Sequence, residues 1–513
     1  VTSSPAPESS SDPARLDPAR LDPARRDLAQ LLLPVIRWTP ERGFSDARPL
    51  IDEALALGVG GFQLVGGEQD GVRALAKELQ LKSKHPLLIA AELERGAGQQ
   101  FAGATGLPPV AAITALGDVE ALRRAARLTA REARTMGVNW NLAPVCDLDL
   151  VIENPLIGTR ALGHDARSVA PLVTAWIEAC QAEGVLACAK HFPGLGRAMH
   201  DGHVSRPVVD TPADQLKELD LHPFRAAIGA GVASVMASHV CYPALDPSRV
   251  PASQSREMLQ WLLRQQLKYD NLIVSDALTM TAALGEGGEP AHAAVQALRG
   301  GCDLLLDPGP LEAALAALTA AFHDGTLDPE RVRQSVRRRL KWAQWASPPN
   351  DWRRPSGADT AWGALLADRV LRIEHGPVPP MGAITEVAVV DDDDEVPERR
   401  PDRTGIVEAM RLAGNDARIV SAPTPASGGP FVIAVFADYV PRKGRHTLLP
   451  RTAEAVQQLV AQAEALQRSV VLVGLGDPRF VAQLNMAVPT IGSWSGDRVM
   501  QQAAGRHLVK AKR

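Results

Sequence analysis

"VLACAKHF", residues 185–192, is an apolar run that ends abruptly in a lysine, a histidine and a turn. Seven other runs share that shape: "LLLPVIRW" (31–38), "GFQLVGG" (61–67), "PLLIAAEL" (86–93), "WNLAPVCDL" (140–148), "SVMASHVCY" (234–242), "NLIVSDAL" (271–278) and "CDLLLDPG" (302–309). Amphipathic stretches such as "VEALRRAARLTAREARTMG" (119–137) and "REMLQWLLRQQLKYD" (256–270) lie between them. Continuously apolar strands alternating with helices describe a parallel sheet covered by helices. Eight repeats predict an α/β chain of the (β/α)8 TIM-type barrel class, with a doubly wound open sheet as the structural alternative.

Working outward, residues 1–28 carry "DPAR" three times and are rich in Ser, Pro, Asp and Arg. Such a composition cannot bury a core and predicts a disordered or surface-draped arm. The barrel is then expected over 29–346, closed by the helix "DPERVRQSVRRRLKWAQWA" (328–346). A Pro/Gly-bearing linker follows at 347–363, and 364–513 forms a smaller, sandwich-like α/β domain. That domain shows strands in "EVAVVDD", "PFVIAVFADYV" and "RSVVLVGLGD", a helix in "RTAEAVQQLVAQAEALQ", and no constellation of catalytic type. The acidic run DDDDE at 391–395 reads as a solvated loop.

Length and charge bound the function. At 513 residues two domains are expected, and a net charge of −4 leaves no footprint for nucleic acid. The five cysteines, Cys146, Cys180, Cys188, Cys241 and Cys302, sit among apolar neighbours without metal spacing and read as buried thiols. No stretch is long and apolar enough for a membrane span, and no basic-then-apolar leader is present. A cytoplasmic location without a membrane partner is therefore expected.

Barrel active sites gather at the C-terminal ends of the strands. Those ends offer Glu92 and Glu94, Asp147 and Asp149, Lys190 and His191, Ser238 and His239, and Ser275 and Asp276. "KHFPGLGRAMHDGH" (190–203) continues from the fifth strand into a loop. A metal could recruit His191, His200, Asp201 and His203, but Gly194, Gly196 and Gly202 make a poor rigid cage. A phosphate cradle needs a glycine loop leading into a helix N-terminus, which is missing here. Proton chemistry fits better: Asp201 and His203 are two apart, so a carboxylate can orient and charge-stabilise an imidazole. Asp276, at another strand end, can attack an electrophilic carbon while that acid protonates a leaving group.

"KHFPGLGRAMHDGH" resembles the K-H-F-P-G-H-G…D-S-H signature of glycoside hydrolase family 3, in its β-N-acetylglucosaminidase branch. Asp201 and His203 fall eleven and thirteen residues after Lys190, as in that branch. "NLIVSDALTM" (271–280) resembles the family's nucleophile segment. "LAPVCDLDLVIENPLIGTRALG" (142–163) and "VMASHVCYPALD" (235–246) resemble two supporting stretches. The resemblance implies Asp276 as nucleophile, His203 as acid/base with Asp201 as partner, and Glu92, Arg160, Lys190 and His191 as sugar ligands. It also implies no cofactor or metal, a carbohydrate substrate and a smaller α/β domain after the barrel. The expected activity is retaining, exo-acting β-N-acetylglucosaminide hydrolysis, on muropeptide or chitooligosaccharide ends, hence a part in peptidoglycan recycling. A family 3 β-glucosidase or β-glycoside phosphorylase is the alternative, and a non-catalytic sugar-binding barrel a third.

The chain departs from the signature at four places. Leu195 replaces its second His, Gly202 replaces the Ser of D-S-H, and "AELERGAGQQF" (91–101) replaces D-Q-E-G-G-x-V-x-R. Within that last stretch Glu92 replaces Asp, and Gln100 falls where the branch offers Arg. Loosening of the 194–203 loop and altered sugar contacts are expected.

Overall fold

The computed structural model describes residues 22–285, 287–346, 357–393, 402–425, 428–439 and 442–510. All eight apolar runs contain strands. They are β1 (Leu32–Leu33), β2 (Val35–Arg37), β3 (Gly61–Val65), β4 (Leu88–Ala91), β5 (Trp140–Asn141), β6 (Cys188–Phe192), β7 (Ser234–Ala237), β8 (Leu272–Ser275) and β9 (Leu305–Leu306). Nine elements arise from eight runs because Pro34 has no N–H to give and divides the first. Leu32–Leu33 pairs in parallel with β9, and Val35–Arg37 with β3.

The ladder is parallel throughout but does not run on as one sheet. It breaks into β2-β3-β4-β5, β6-β7-β8 and β1-β9. Isolated bridges Trp140–Leu186, Val145–Lys190 and Val274–Leu304 link these sheets. The expected continuous eight-stranded barrel is thus met only in part. Pairing of the first run with the last is nonetheless foreign to a doubly wound order, which places the first strand inside an open sheet. Helices Val119–Thr135, Ala166–Ala182 and Leu311–His323 cover the strands and bury their apolar sides in one large core. The closing helix is Pro329–Trp345.

Two boundaries shift. Residues 1–21 of the expected arm lie outside the described residues, but the arm does not extend to 28. Helix Pro23–Ala29 begins there, with Leu28 and Ala29 fully buried. The third "DPAR" is its start signal: the Asp22 carboxylate caps the Ala24 amide and Pro23 takes the first turn. Of the expected linker 347–363, residues 347–356 lie outside the described ones, and Gly357–Arg369 is helical.

The second unit is a six-stranded sheet. Its strands are β10 (Arg372–Glu374), β11 (Ile384–Asp391), β12 (Asp416–Val420), β13 (Phe431–Ala437), β14 (Val470–Gly476) and β15 (Thr490–Gly492). Their order is β10-β15-β14-β13-β11-β12, parallel except for β10 at the edge. Separate apolar clusters fill its two faces, one with helices Gly405–Leu412 and Arg498–Lys510, the other with Pro450–Ala465. The acidic run at the end of β11 is not a solvated loop where it is described. Asp392 and Asp393 are buried against Lys443.

Candidate active site

At the C-terminal strand ends of the first unit lies a pocket of about 150 Å³. Its lining includes Glu92, Glu94, Arg160, His191, His203, Ser238, His239 and Asp276. Five of the seven residues singled out from the sequence, Glu92, Arg160, His191, His203 and Asp276, thereby line one pocket, with Asp201 bonded to His203. Lys190 lies behind the wall, fully buried, with its ammonium 3.1 Å from Glu92 and 2.7 Å from Glu94.

The charges at that wall are ordered as a chain. Arg160 gripping Glu94 with two parallel bonds, 3.0 and 2.8 Å, fixes the carboxylate between itself and Lys190. Burial opposes the Glu94 charge, yet Arg160 and Lys190 hold its carboxyl well below the usual range. Burial likewise works against the Lys190 ammonium, and Glu92 and Glu94 outweigh it, raising its proton affinity. A buried lysine that stays charged can donate only while those carboxylates accompany it.

His191 is set from below. Asp147, reached from the strand end of β5, accepts from the His191 amide at 3.1 Å and lies 2.6 Å from its Nδ1. The same carboxylate takes the Leu195 amide at 2.6 Å. The turn beyond is pinned further: Tyr242 donates its hydroxyl to the Gly194 carbonyl at 2.7 Å, and Asn154 donates to the Leu195 carbonyl at 2.9 Å. A Cβ on Gly196 would overlap the Leu148 carbonyl oxygen, so this position requires glycine. The first half of the loop is therefore tightly held despite its glycines.

The second half carries the acid/base candidates. Asp201 Oδ1 accepts from the His203 amide at 2.8 Å and lies 2.7 Å from its Nδ1. Burial opposes the Asp201 charge, but the bonds from His203 prevail and keep it ionised below the ordinary range. Its second oxygen, Oδ2, accepts the backbone amide of Arg442 at 2.6 Å. The loop is sewn to the segment after β8: Ala282 donates its amide to the Gly202 carbonyl at 3.0 Å, and Thr281 donates its hydroxyl to the His203 carbonyl at 3.0 Å. A Cβ on Gly202 would lie 3.2 Å from Met280 Cε. The expected loosening at Gly202 is therefore offset by this seam.

Asp276 closes the site. Its Oδ1 accepts the Ala277 amide at 2.8 Å, and its own amide donates to the Ala237 carbonyl at 3.0 Å. Burial disfavours its charge, but His191 and the Ala277 amide overcome that and keep it ionised below the usual carboxylate range. Nearby, His239 Nε2 lies 3.0 Å from the Ala277 carbonyl, so that nitrogen carries the proton and Nδ1 accepts from Ser253 at 2.7 Å. Burial lowers the proton affinity of His239, in keeping with a neutral ring.

Some expected residues have other work. Gln100 accepts the Gly66 amide at 3.2 Å, while Arg95 lines the pocket instead. Gln99 accepts the amides of Glu94 and Arg95, at 2.8 and 3.1 Å, and shapes that corner. Asp149 pairs with Arg479 of the second unit at 3.2 Å, and Ser275 accepts the Leu306 amide. Among the described residues, no group of three or more His, Cys, Asp or Glu could hold a metal ion.

Sequence reasoning missed the second unit's share of the pocket. Asp438 and Tyr439 line it from the loop that leaves β13. Burial pushes the Asp438 carboxyl up to about 7, with Arg95 opposing and Asp393, Asp497 and Asp477 reinforcing the rise. The available signal was positional: "FVIAVFADY" places a carboxylate at the carboxyl end of a parallel strand, where open α/β sheets bind ligands.

Known proteins place this architecture. Residues 51–341 match the glycosyl hydrolase family 3 N terminal domain. A beta-N-acetylglucosaminidase/beta-glucosidase of Cellulomonas fimi is 36% identical over 293 residues, which is 55% of this chain and 52% of that protein. The chain thus spans about half the length of that relative. A beta-hexosaminidase of Thiobacillus denitrificans is 37% identical over 270 residues, 51% of this chain and 74% of its own. A solved family 3 beta-N-acetylglucosaminidase from Paenibacillus sp. str. FPU-7 superposes with a TM-score of 0.80 at 27% identity, covering 95% of this chain and 96% of that one. Together with the matched domain, which takes up more than half of the sequence, these likenesses place the chain in glycoside hydrolase family 3.

Proposed function

We propose that the chain is a retaining, exo-acting β-N-acetylglucosaminidase. The observation that carries this reading is the meeting in one pocket of Asp276 with His203, whose Nδ1 Asp201 engages. In the first step an Asp276 oxygen bonds to the anomeric carbon as the glycosidic C–O bond breaks, and the bonding pair leaves with the aglycone oxygen. His203 supplies that oxygen with a proton from Nε2, since Nδ1 is engaged by Asp201. In the second step the same nitrogen takes a proton from water, whose oxygen bonds to the anomeric carbon and displaces Asp276. Ionised Asp201, 2.7 Å from Nδ1, fixes the ring's tautomer and orientation.

Arg160, Lys190, His191 and Glu92 are assigned to the hydroxyls of the terminal sugar, and the small pocket accords with recognition of one chain-end unit. The names of the Cellulomonas and Paenibacillus relatives favour the N-acetylated sugar. We read the eight bridged strands as a (β/α)8 barrel over 29–346, followed by the α/β domain at 364–513. The same name from Cellulomonas keeps β-glucosides as the second substrate class, and deprotonated His203, being neutral, does not repel an anionic acceptor such as phosphate.

The test is turnover of 4-nitrophenyl β-N-acetylglucosaminide and β-glucoside, with and without phosphate, by the parent chain, His203→Ala and Asp276→Ala. Preference for the N-acetyl sugar and losses of roughly 100-fold or more in both variants are expected. Full turnover without His203 would overturn the assignment of the acid, and equal rates on both sugars that of the substrate.

A further inference from the structure

The Asp201 carboxylate is shared between two domains. Oδ1 belongs to His203, whereas Oδ2 takes an amide 241 residues further along the chain, that of Arg442. Arg442 has φ 74°, a left-handed backbone that a side-chain-bearing residue keeps only where its surroundings impose it. The source of that constraint is visible next door. Lys443, with 1% of its side chain exposed, lies 2.6 Å from Asp393 and 3.0 Å from Asp392. It also donates to the Asp438 carbonyl at 3.0 Å, and Asp393 accepts the Asp438 amide at 3.1 Å. Beyond it, Asp392 takes the Arg445 guanidinium at 2.6 Å, the Leu449 amide at 2.9 Å and the Thr452 hydroxyl at 2.7 Å. Both flanks of the Arg442 turn are thus bolted to the end of β11 by a buried charge cluster.

We infer that Lys443, with Asp392 and Asp393, is a positioning clamp for the acid/base pair. It holds the Arg442 amide on Asp201 and so fixes the orientation of His203 from the second domain. This rests on the reading of His203 as the acid/base. Two carboxylates on one lysine are costly to bury unless each is satisfied, and here they are. A surface loop needs no such anchor merely to stay folded. The anchored turn delivers its Arg442 amide to Asp201 of the catalytic loop.

The experiment compares Arg442→Pro, which removes the N–H and forbids the left-handed backbone, with Arg442→Gly, which keeps both, in the full chain. Lys443→Met tests the anchor. For Arg442→Pro and Lys443→Met, kcat is expected to fall roughly 10- to 100-fold with KM little changed. Released from its tether, Asp201 orients the imidazole less well, so the pH profile of kcat/KM departs from the parent's. Arg442→Gly is expected to lose no more than a few-fold and to keep the parent's profile. In the His203→Ala background, Arg442→Pro is expected to add no further loss. Parent-like turnover and pH profile in Arg442→Pro overturn the clamp, as does a loss that multiplies with that of His203→Ala. Full activity of His203→Ala alone instead removes the acid/base assignment, and the clamp with it.

Discussion

Single residues set the charge state of the pocket, and Asp438 is one whose carboxyl is shifted far toward neutrality. Its carboxyl, raised to about 7 mainly by burial, holds a proton in the folded chain over a range where the unfolded chain has lost it. The folded state therefore binds more protons between about pH 4 and pH 7, and stability falls as pH rises through that window. Asp438→Asn removes the penalty. Its melting temperature relative to the parent is expected to be higher at pH 8 than at pH 5, equivalent to about 1–3 kcal/mol, with calorimetry at the two pH values as the check. An unchanged difference would show that Asp438 is ionised in both states. At this scale the sequence pointed to residues on its motifs that the structure places at or beside the pocket: Asp276, Asp201, His203, Lys190 and His191. Asp147, which carries His191, was visible only as a strand-end carboxylate, because its partner is 44 residues away. Arg95 was hidden because its pairing at 2.7 Å with Asp497 crosses nearly the whole chain.

Elements were legible where periodicity was strong and obscured where proline or capping decided. Helix Val119–Thr135 follows the predicted stretch to within two residues at its end, and its apolar stripe explains why. Strand β5 shrank to Trp140–Asn141 from a nine-residue run, since Pro144 cannot donate to a ladder. Helix Pro23–Ala29 falls within the stretch expected as a disordered or surface-draped arm, because composition averaged over 28 residues hides a single well-placed cap. That cap is testable. Asp22→Ala leaves the Ala24 amide without its acceptor and is expected to cost about 1 kcal/mol, seen as a small fall in the urea midpoint with the slope unchanged. No loss would mean that the packing of Leu28 holds the helix without its cap. In the second unit, "EVAVVDD", "PFVIAVFADYV" and "RSVVLVGLGD" each became a central strand, whereas the edge strands β10 and β12 and the three-residue β15 were missed. Exposed edges carry little of the apolar pattern that reveals a strand.

The whole molecule is held together by contacts that also finish the site. Leu366, Ala367, Val370, Met500 and Ala503 belong to the same apolar cluster as the first domain's core. Polar bonds surround them: Arg95 with Asp497, Arg479 with Asp149, and Arg369 with Asp118. Gly158, just before Arg160, lies under the Tyr439 ring, where an added Cβ would collide, and its φ of 41° also favours glycine. Gly158→Ala is expected to displace Tyr439, cost about 1–3 kcal/mol and raise KM through the neighbouring Arg160. Parent-like KM and melting temperature would show that the ring yields freely. Interdomain pairing of this kind was beyond reach of the sequence, because nothing local in "DYV" or "GTR" announces the other.

The seam between Gly202 and Ala282, and between His203 and Thr281, carries a consequence for how such an enzyme can diversify. It makes Asp276 and His203, the carboxylate and imidazole proposed for the chemistry, two jaws of one caliper joined through the segment after β8. Of the residues assigned to the sugar, Arg160 and Lys190 are stitched to one another through Glu94, a link separate from that seam. Changes such as those in 91–101 can then accumulate on the recognising side while the cleaving side keeps its calibration, so specificity can drift without resetting the chemistry.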